Sequence, residues 1–149
     1  MVALSLALPG STSKAEPEKE AAILILEQAN KVRAQQGAPP LKLDSRLAAS
    51  ALGHSQDMAT RNYFEHDSPE GGTVETRVAR EGVDPKDVDE ILFRCSGRDP
   101  RVIAEASVQA WMKDPPHRRT LLNPRYKSAG VGVARQGGDF LVTMDFDSH

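Results

Sequence analysis

The side chains of this 149-residue chain best suited to chemistry near neutral pH are its histidines, and two of them sit where neighbouring residues fix the ring. His66 lies in Asn62-Tyr63-Phe64-Glu65-His66-Asp67-Ser68-Pro69-Glu70-Gly71-Gly72, between an aromatic anchor and a sharp Ser-Pro/Gly-Gly turn. His117 lies in a comparable setting, Asp114-Pro115-Pro116-His117-Arg118-Arg119. An imidazole held this way can ligate a metal or act as a general base. Ser68 is the nearest hydroxyl to His66 in sequence, but a serine before proline in a turn more often serves the backbone. His54 falls on or beside the apolar stripe of a helix and reads as a satisfied core histidine rather than a ligand.

Bulk properties limit the setting. The length suits one domain with a real hydrophobic core, and 39% hydrophobic with 27% charged residues is ordinary for a globular chain. The formal charge is −2 and the basic residues are scattered, so there is no nucleic-acid footprint. Cys95 is the single cysteine, which excludes an internal disulfide framework and a cysteine-only metal site. No run reaches the roughly 18 apolar residues of a membrane span. Residues 1–19 are expected to form a leader and a polar linker. Val2–Leu8 with the small residues after it reads either as a signal-peptide core lacking its basic start or as a disordered or loosely docked leader.

The elements that must position the histidines follow from periodicity and stop signals. A helix is expected over about 18–36, ended by Gly37, then an extended Ala38-Pro39-Pro40 and a short strand at Leu41-Lys42-Leu43. Asp44 caps a second helix, Ser45 to Arg61, and Thr73 a short third one ending at Glu81. The stretch 83–99 gives no clear assignment, and its acidic residues lack the alternating ligand spacing of a calcium loop. Asp99 and Pro100 open a further helix that stops before Pro115, and Leu121-Leu122-Asn123-Pro124 reads as a loop anchored in the core. Two strands at 129–134 and 140–146 are joined by the hairpin signal Gln136-Gly137-Gly138-Asp139. Helices first and β-structure last give an α+β class with an antiparallel sheet.

These residues also carry a resemblance. The series Asn30-Lys31-Val32-Arg33, Asn62-Tyr63-Phe64-Glu65-His66-Asp67-Ser68-Pro69, Ala110-Trp111-Met112, Pro116-His117-Arg118, Leu121-Leu122-Asn123-Pro124 and Gly130-Val131-Gly132-Val133-Ala134 resembles the CAP superfamily, or SCP-like domains. The likeness spans about residues 20–147, so the domain is expected over 20–149. It implies an α-β-α sandwich with a small antiparallel sheet between helical layers, and a cleft of two histidines and two acids. Carried over, the histidines are His66 and His117, and the first acid is Glu90, in Asp89-Glu90-Ile91-Leu92 where the family has Gly-Glu-Asn-Ile. The second acid falls at Ala106, with Glu105 one residue away and about 100° round the helix.

The resemblance leaves several chemistries open. His66, Glu90 and His117 form a weak, open site for zinc or another divalent ion, or else a hydrogen-bonded His–Glu cluster that ties loops to the core. A hydrolase would use His66 as base with Ser68 or water as nucleophile, but no His-Glu-x-x-His, Gly-x-Ser-x-Gly or Walker motif is present. A third class binds an extracellular lipid, sterol, cell-wall component or protein, with Ile91, Leu92 and Phe93 lining a groove or filling the core. The expectation is an exported binding or scaffold module without nucleic-acid partner or membrane span.

Overall fold

A computed structural model describes residues 16–149; the leader expected over residues 1–15 lies outside the described residues. The elements are α1 (Glu16–Gln35), β1 (Lys42–Leu43), α2 (Ser45–Arg61), α3 (Val74–Arg80), β2 (Val88–Ser96), α4 (Pro100–Lys113), α5 (Pro115–Leu122), β3 (Ser128–Gln136) and β4 (Asp139–Asp147). Helix α1 begins at Glu16, so the end of the expected linker is in fact its first turn.

The four strands lie in the order β1-β3-β4-β2. Strands β3, β4 and β2 are antiparallel along their full length, while β1 adds two residues in parallel to β3. The expected small antiparallel sheet is therefore slightly mixed. Helices flank it on both sides as an α-β-α sandwich. Helices α1, α4 and α5 share one core with the sheet, built on Ile25, Ile103, Trp111, Leu121, Val131, Phe140 and Phe146. Helix α2, with α3 beside it, covers the other face.

The two faces differ because alternate strand residues point to opposite sides. Ile91, Met144 and Phe146 join the α1/α4 core. On the α2 face, Ser50 donates to Asp145 and Ser55 pairs with Thr143 at 2.8 Å, so this layer is held partly by buried polar contacts. It is also thin. A Cβ on Gly130 would stand 2.0 Å from the Ala48 nitrogen, and one on Gly132 would stand 2.0 Å from the Leu52 nitrogen.

Two segments depart from the sequence reading. Residues 88–96 form a nine-residue strand in a stretch whose pattern assigns no element. Leu121 and Leu122 are not in a loop but end α5, because Asp114 caps a new helix and Pro115 occupies its first position. The double proline that stops α4 also starts α5. One buried cation ties these parts together. Arg33 donates to the carbonyls of Pro39, Leu121, Asn123 and Tyr126 at 2.8–3.1 Å, locking α1 to the end of α5.

The close approach of α2 to β3 predicts that Gly132→Ala forces the helix outward. Urea unfolding should register a loss on the order of 3 kcal/mol, the upper range for an overpacked core. An unchanged midpoint would mean the layer has slack that these distances do not allow.

Candidate functional site

Glu90 is the centre of a buried polar cluster. Strand alternation turns it to the α2 face, and register sets it opposite Asp145 on β4. Its Oε1 accepts from His66 Nδ1 at 2.9 Å, and its Oε2 accepts from Arg77 Nη2 at 2.7 Å. His54 Nε2 lies 3.9 Å from Oε1. The cluster thus gathers one residue from α2, one from the loop after it, one from α3 and two from the sheet.

Each contributor is fixed locally. Helix α2 ends at Asn62, which adopts the left-handed conformation with φ of 60° and sends the chain back over the helix. The loop then turns on Ser68, whose Oγ accepts from the Gly72 N–H at 2.9 Å. Thr73 and Thr76 form a reciprocal capping box that starts α3 and aims Arg77 inward.

Protonation follows from these contacts. Burial pushes the Glu90 carboxyl up, but hydrogen bonds from His66 and Asp145 and the charge on Arg77 outweigh it and hold its pKa below the usual value. Asp145 is fully buried, and burial together with the neighbouring Glu90 charge drives its pKa well above the ordinary range. It is therefore the protonated partner. Among the described residues no donor reaches Asp145 Oδ1, in keeping with a protonated oxygen on the Glu90 side. The Glu90 hydrogen bond raises the His66 pKa against the opposing effect of burial.

His54 behaves differently. Burial lowers its pKa more than the Glu90 charge raises it, so the ring is neutral. Its Nε2 donates to the Glu65 carbonyl at 2.8 Å, which leaves Nδ1 as an acceptor without a partner among the described residues. Arg77 Nε and Nη1 are likewise buried and have no partner among the described residues. His54 and Arg77 both wall a cavity of about 290 Å³, together with Ser50, Asp57, Ser68 and Gly72.

The residues singled out from sequence are distributed unevenly. His66 and Glu90 are in direct contact. His117 lies on α5, where its Nδ1 contacts Asp114 Oδ2 at 2.6 Å; its hydrogen bonds and ion pairs reach neither Glu90 nor His66. Glu105 is exposed on α4, accepts from Gln109, and lines a separate groove with Val32 and Met112. Ser68 stands beside the cavity but its hydroxyl is engaged by the turn. Sequence reasoning misses Arg77 as a site residue, and Asp145 and Ser50 altogether. The inward position of Arg77 on α3 is visible in the helical period, whereas the pairing of Glu90 with Asp145 requires β2 to be recognised as a strand.

Both Glu90 oxygens are engaged, one by His66 Nδ1 and one by the Arg77 guanidinium, while the second ring nitrogen of the half-exposed His66 makes no hydrogen bond among the described residues. Among the described residues, no group of three or more His, Cys, Asp or Glu side chains is disposed to hold a metal. No helix among the described residues is long and apolar enough to cross a membrane.

A family model described as "CAP: Cysteine-rich secretory protein family" matches residues 26–146. The uncharacterized protein YkwD of Bacillus subtilis (strain 168) is 35% identical over 113 residues, covering 76% of this chain and 42% of that protein. The uncharacterized membrane protein YlbC of the same organism is also 35% identical over 113 residues, covering 75% of this chain and 31% of YlbC. The chain thus spans less than half the length of either relative. Among solved structures, an extracellular protein containing a SCP domain from Bacillus anthracis str. Ames superposes with a TM-score of 0.78 at 29% identity. That match covers 98% of this chain and 45% of the other. An outer surface protein from Borrelia burgdorferi superposes with a TM-score of 0.75 over 88% of this chain and 94% of its own. At 19% identity the likeness is one of fold.

The shared proton predicts a pH signature. Unfolded, Asp145 ionises near pH 4; folded, it keeps its proton well above that value. Between the two, unfolding releases a proton, so its contribution falls as pH rises, by up to ~1.4 kcal/mol per unit. In Asp145→Asn the new side-chain amide could still accept from Ser50 and donate to Glu90, and it does not titrate. The stability of Asp145→Asn relative to the parent should therefore increase from pH 4.5 to pH 8 in urea unfolding. Parallel pH profiles would show that Asp145 is ionised in the fold.

Proposed function

Since the chain belongs to the CAP family of cysteine-rich secretory proteins, we propose that it is an extracellular binding module whose cleft beside Glu90 takes a small amide-bearing ligand. The extracellular setting is supported by the Bacillus anthracis relative, which is described as an extracellular protein.

One observation carries the ligand class. His54 and Arg77 line the cavity, and behind its surface His54 Nδ1, Arg77 Nε and Arg77 Nη1 are buried without a partner among the described residues, so a ligand reaches them when these side chains turn toward it. Buried polar groups are rarely left unpaired, and here the missing partners are complementary to a single secondary amide. A carbonyl would accept from Arg77, and the adjoining N–H would donate to His54. Peptides and N-acetylated amino sugars, the components of bacterial cell walls, present that pair of groups. A cavity of about 290 Å³ suits a fragment of this size rather than a whole polymer.

Binding is favoured over catalysis by the state of the groups. The Ser68 hydroxyl accepts a backbone N–H in its own turn and makes no hydrogen bond to His66, so no activated nucleophile stands beside that ring. His117, held by Asp114, has no part in this reading.

The test is an NMR titration of the full chain with N-acetylglucosamine and muramyl dipeptide, following the His54 and His66 rings. Saturable shifts are expected, with affinity at least about tenfold weaker in Arg77→Lys, which keeps the charge beside Glu90 but loses the fork. No shift in either ring at about 10 mM probe would discard the proposal. Zinc provides a separate check. Stoichiometric zinc at pH 7 should leave the His66 and His117 signals in place, and movement of both would restore a metal site.

A further inference from the structure

The cavity that His54 and Arg77 line also has charged groups in its walls, Asp57, Glu70, Arg80 and Glu81. Two of the acids are already matched, since Arg61 holds Asp57 at 2.7 Å and Glu70 at 2.6 Å. The guanidinium of Arg80 is different. Arg80 is exposed, lines the cavity, and its side chain makes no hydrogen bond or ion pair among the described residues. A cation in the last turn of α3 suits the helix dipole, but that effect needs no cavity beside it. Glu81 likewise has no ion-pair partner among the described residues, and as an acid it rejects an anion rather than holding one.

Arg77 and Arg80 are three apart on α3, so they are neighbours on one helix face with Cβ atoms about 5–6 Å apart. One of them stands behind the cavity surface with donors to spare, and the other carries a whole fork at that surface. A guanidinium fork matches a carboxylate in two parallel hydrogen bonds. At the carboxyl end of a peptide, a secondary amide and a carboxylate are separated by a single carbon, a spacing that suits two adjacent arginines.

The α2 side of the cavity adds an independent observation. Gly53 lies inside α2, where glycine costs helix stability relative to alanine. A Cβ at this position would meet nothing within 4 Å, so no crowding among the described residues calls for glycine. Gly53 lines the cavity, and what its missing side chain leaves is room for a ligand.

We infer, resting on the amide reading above, that the ligand is an N-acylated α-amino acid, as at the carboxyl end of a peptide, with its carboxylate on Arg80 and its amide against Arg77 and His54. This separates two classes that share the amide. A peptide end carries the carboxylate, and N-acetylglucosamine does not.

NMR titration of the full chain with N-acetyl-alanyl-alanine and with its carboxyl-terminal amide tests the inference. In the parent, the acid should bind at least about tenfold more tightly than the neutral amide, and in Arg80→Gln this ratio should fall to near one. Equal binding of both probes to the parent would overturn the carboxylate contact and leave the amide reading standing. Failure of both probes to bind would remove the two together. A ratio unchanged in Arg80→Gln would also overturn the inference. Gly53→Leu, which fills the space beside α2, should weaken both probes at least about tenfold, and parental affinity there would place them outside this cavity. N-acetylalanine distinguishes the source. Affinity equal to that of the dipeptide supports a free acylated amino acid, and weaker affinity supports a peptide end.

Discussion

A carboxylate removed from water persists only where hydrogen bonds and opposite charge replace its hydration, and Glu90 imposes that requirement on half of this molecule. Its partners come from separate pieces of chain: Arg77 from α3, His66 from the loop after α2, Asp145 from β4 and, at longer range, His54 from α2. None of them is adjacent to Glu90 in sequence. The loop from Asn62 to Gly72 has few buried side chains of its own; Asn62 and Tyr63 tie its start to the sheet, through Gln136 and beside Leu92 and Leu141, and the His66 contact ties its middle. The helix caps, the left-handed Asn62 and the Ser68 turn serve to deliver these groups to one carboxylate.

The sheet makes this possible by having two unlike faces. Toward α1 and α4 it is aliphatic and aromatic, and close packing there supplies the bulk of the hydrophobic burial. Toward α2 it is glycine, serine, threonine and carboxyl. Glycine at 130 and 132 lets the α2 backbone approach within van der Waals range, and that approach brings Ser50, His54 and Ser55 down onto β3 and β4. Side chains at 130 and 132 would lift the helix and break the contacts to Asp145 and Thr143. Packing geometry and site chemistry are one constraint on this face.

How much of this can be read from the chain depends on where each signal lies. Helix α2 is legible to the residue, because Asp44 is a capping side chain and the Leu47, Ala51 and Met58 stripe has helical period. The β3–β4 hairpin is legible from its Gly137-Gly138 turn. The contact between His66 and Glu90 is anticipated through resemblance, not through any local pattern. Strand β2 escapes notice because Val88-Asp89-Glu90-Ile91-Leu92-Phe93 does not alternate polar and apolar. Both faces of this strand are buried, so Leu92 packs against Met58 while Ile91 and Phe93 pack in the opposite core, and the acid is an exception paired across the sheet. The resemblance puts Glu90 in a loop, and the same lack of alternation leaves that placement uncorrected. Asp145 looks like one polar residue in an apolar strand, and only the register with β2 gives it a role.

The buried charges of Arg33 and Glu90 are compensated in opposite ways, and the proposed binding role rests on that contrast. Arg33 is closed off by backbone carbonyls alone. Those acceptors do not titrate and cannot move without unfolding α5. This is what a structural clamp requires. Glu90 is compensated instead by side chains that carry protons, Asp145 and His66 among them, and by an arginine with donors to spare. A purely structural ion pair gains nothing from unpartnered groups, since each costs about 1–3 kcal/mol when buried. In the proposed binding reading, the missing partners of His54 and Arg77 arrive with a ligand.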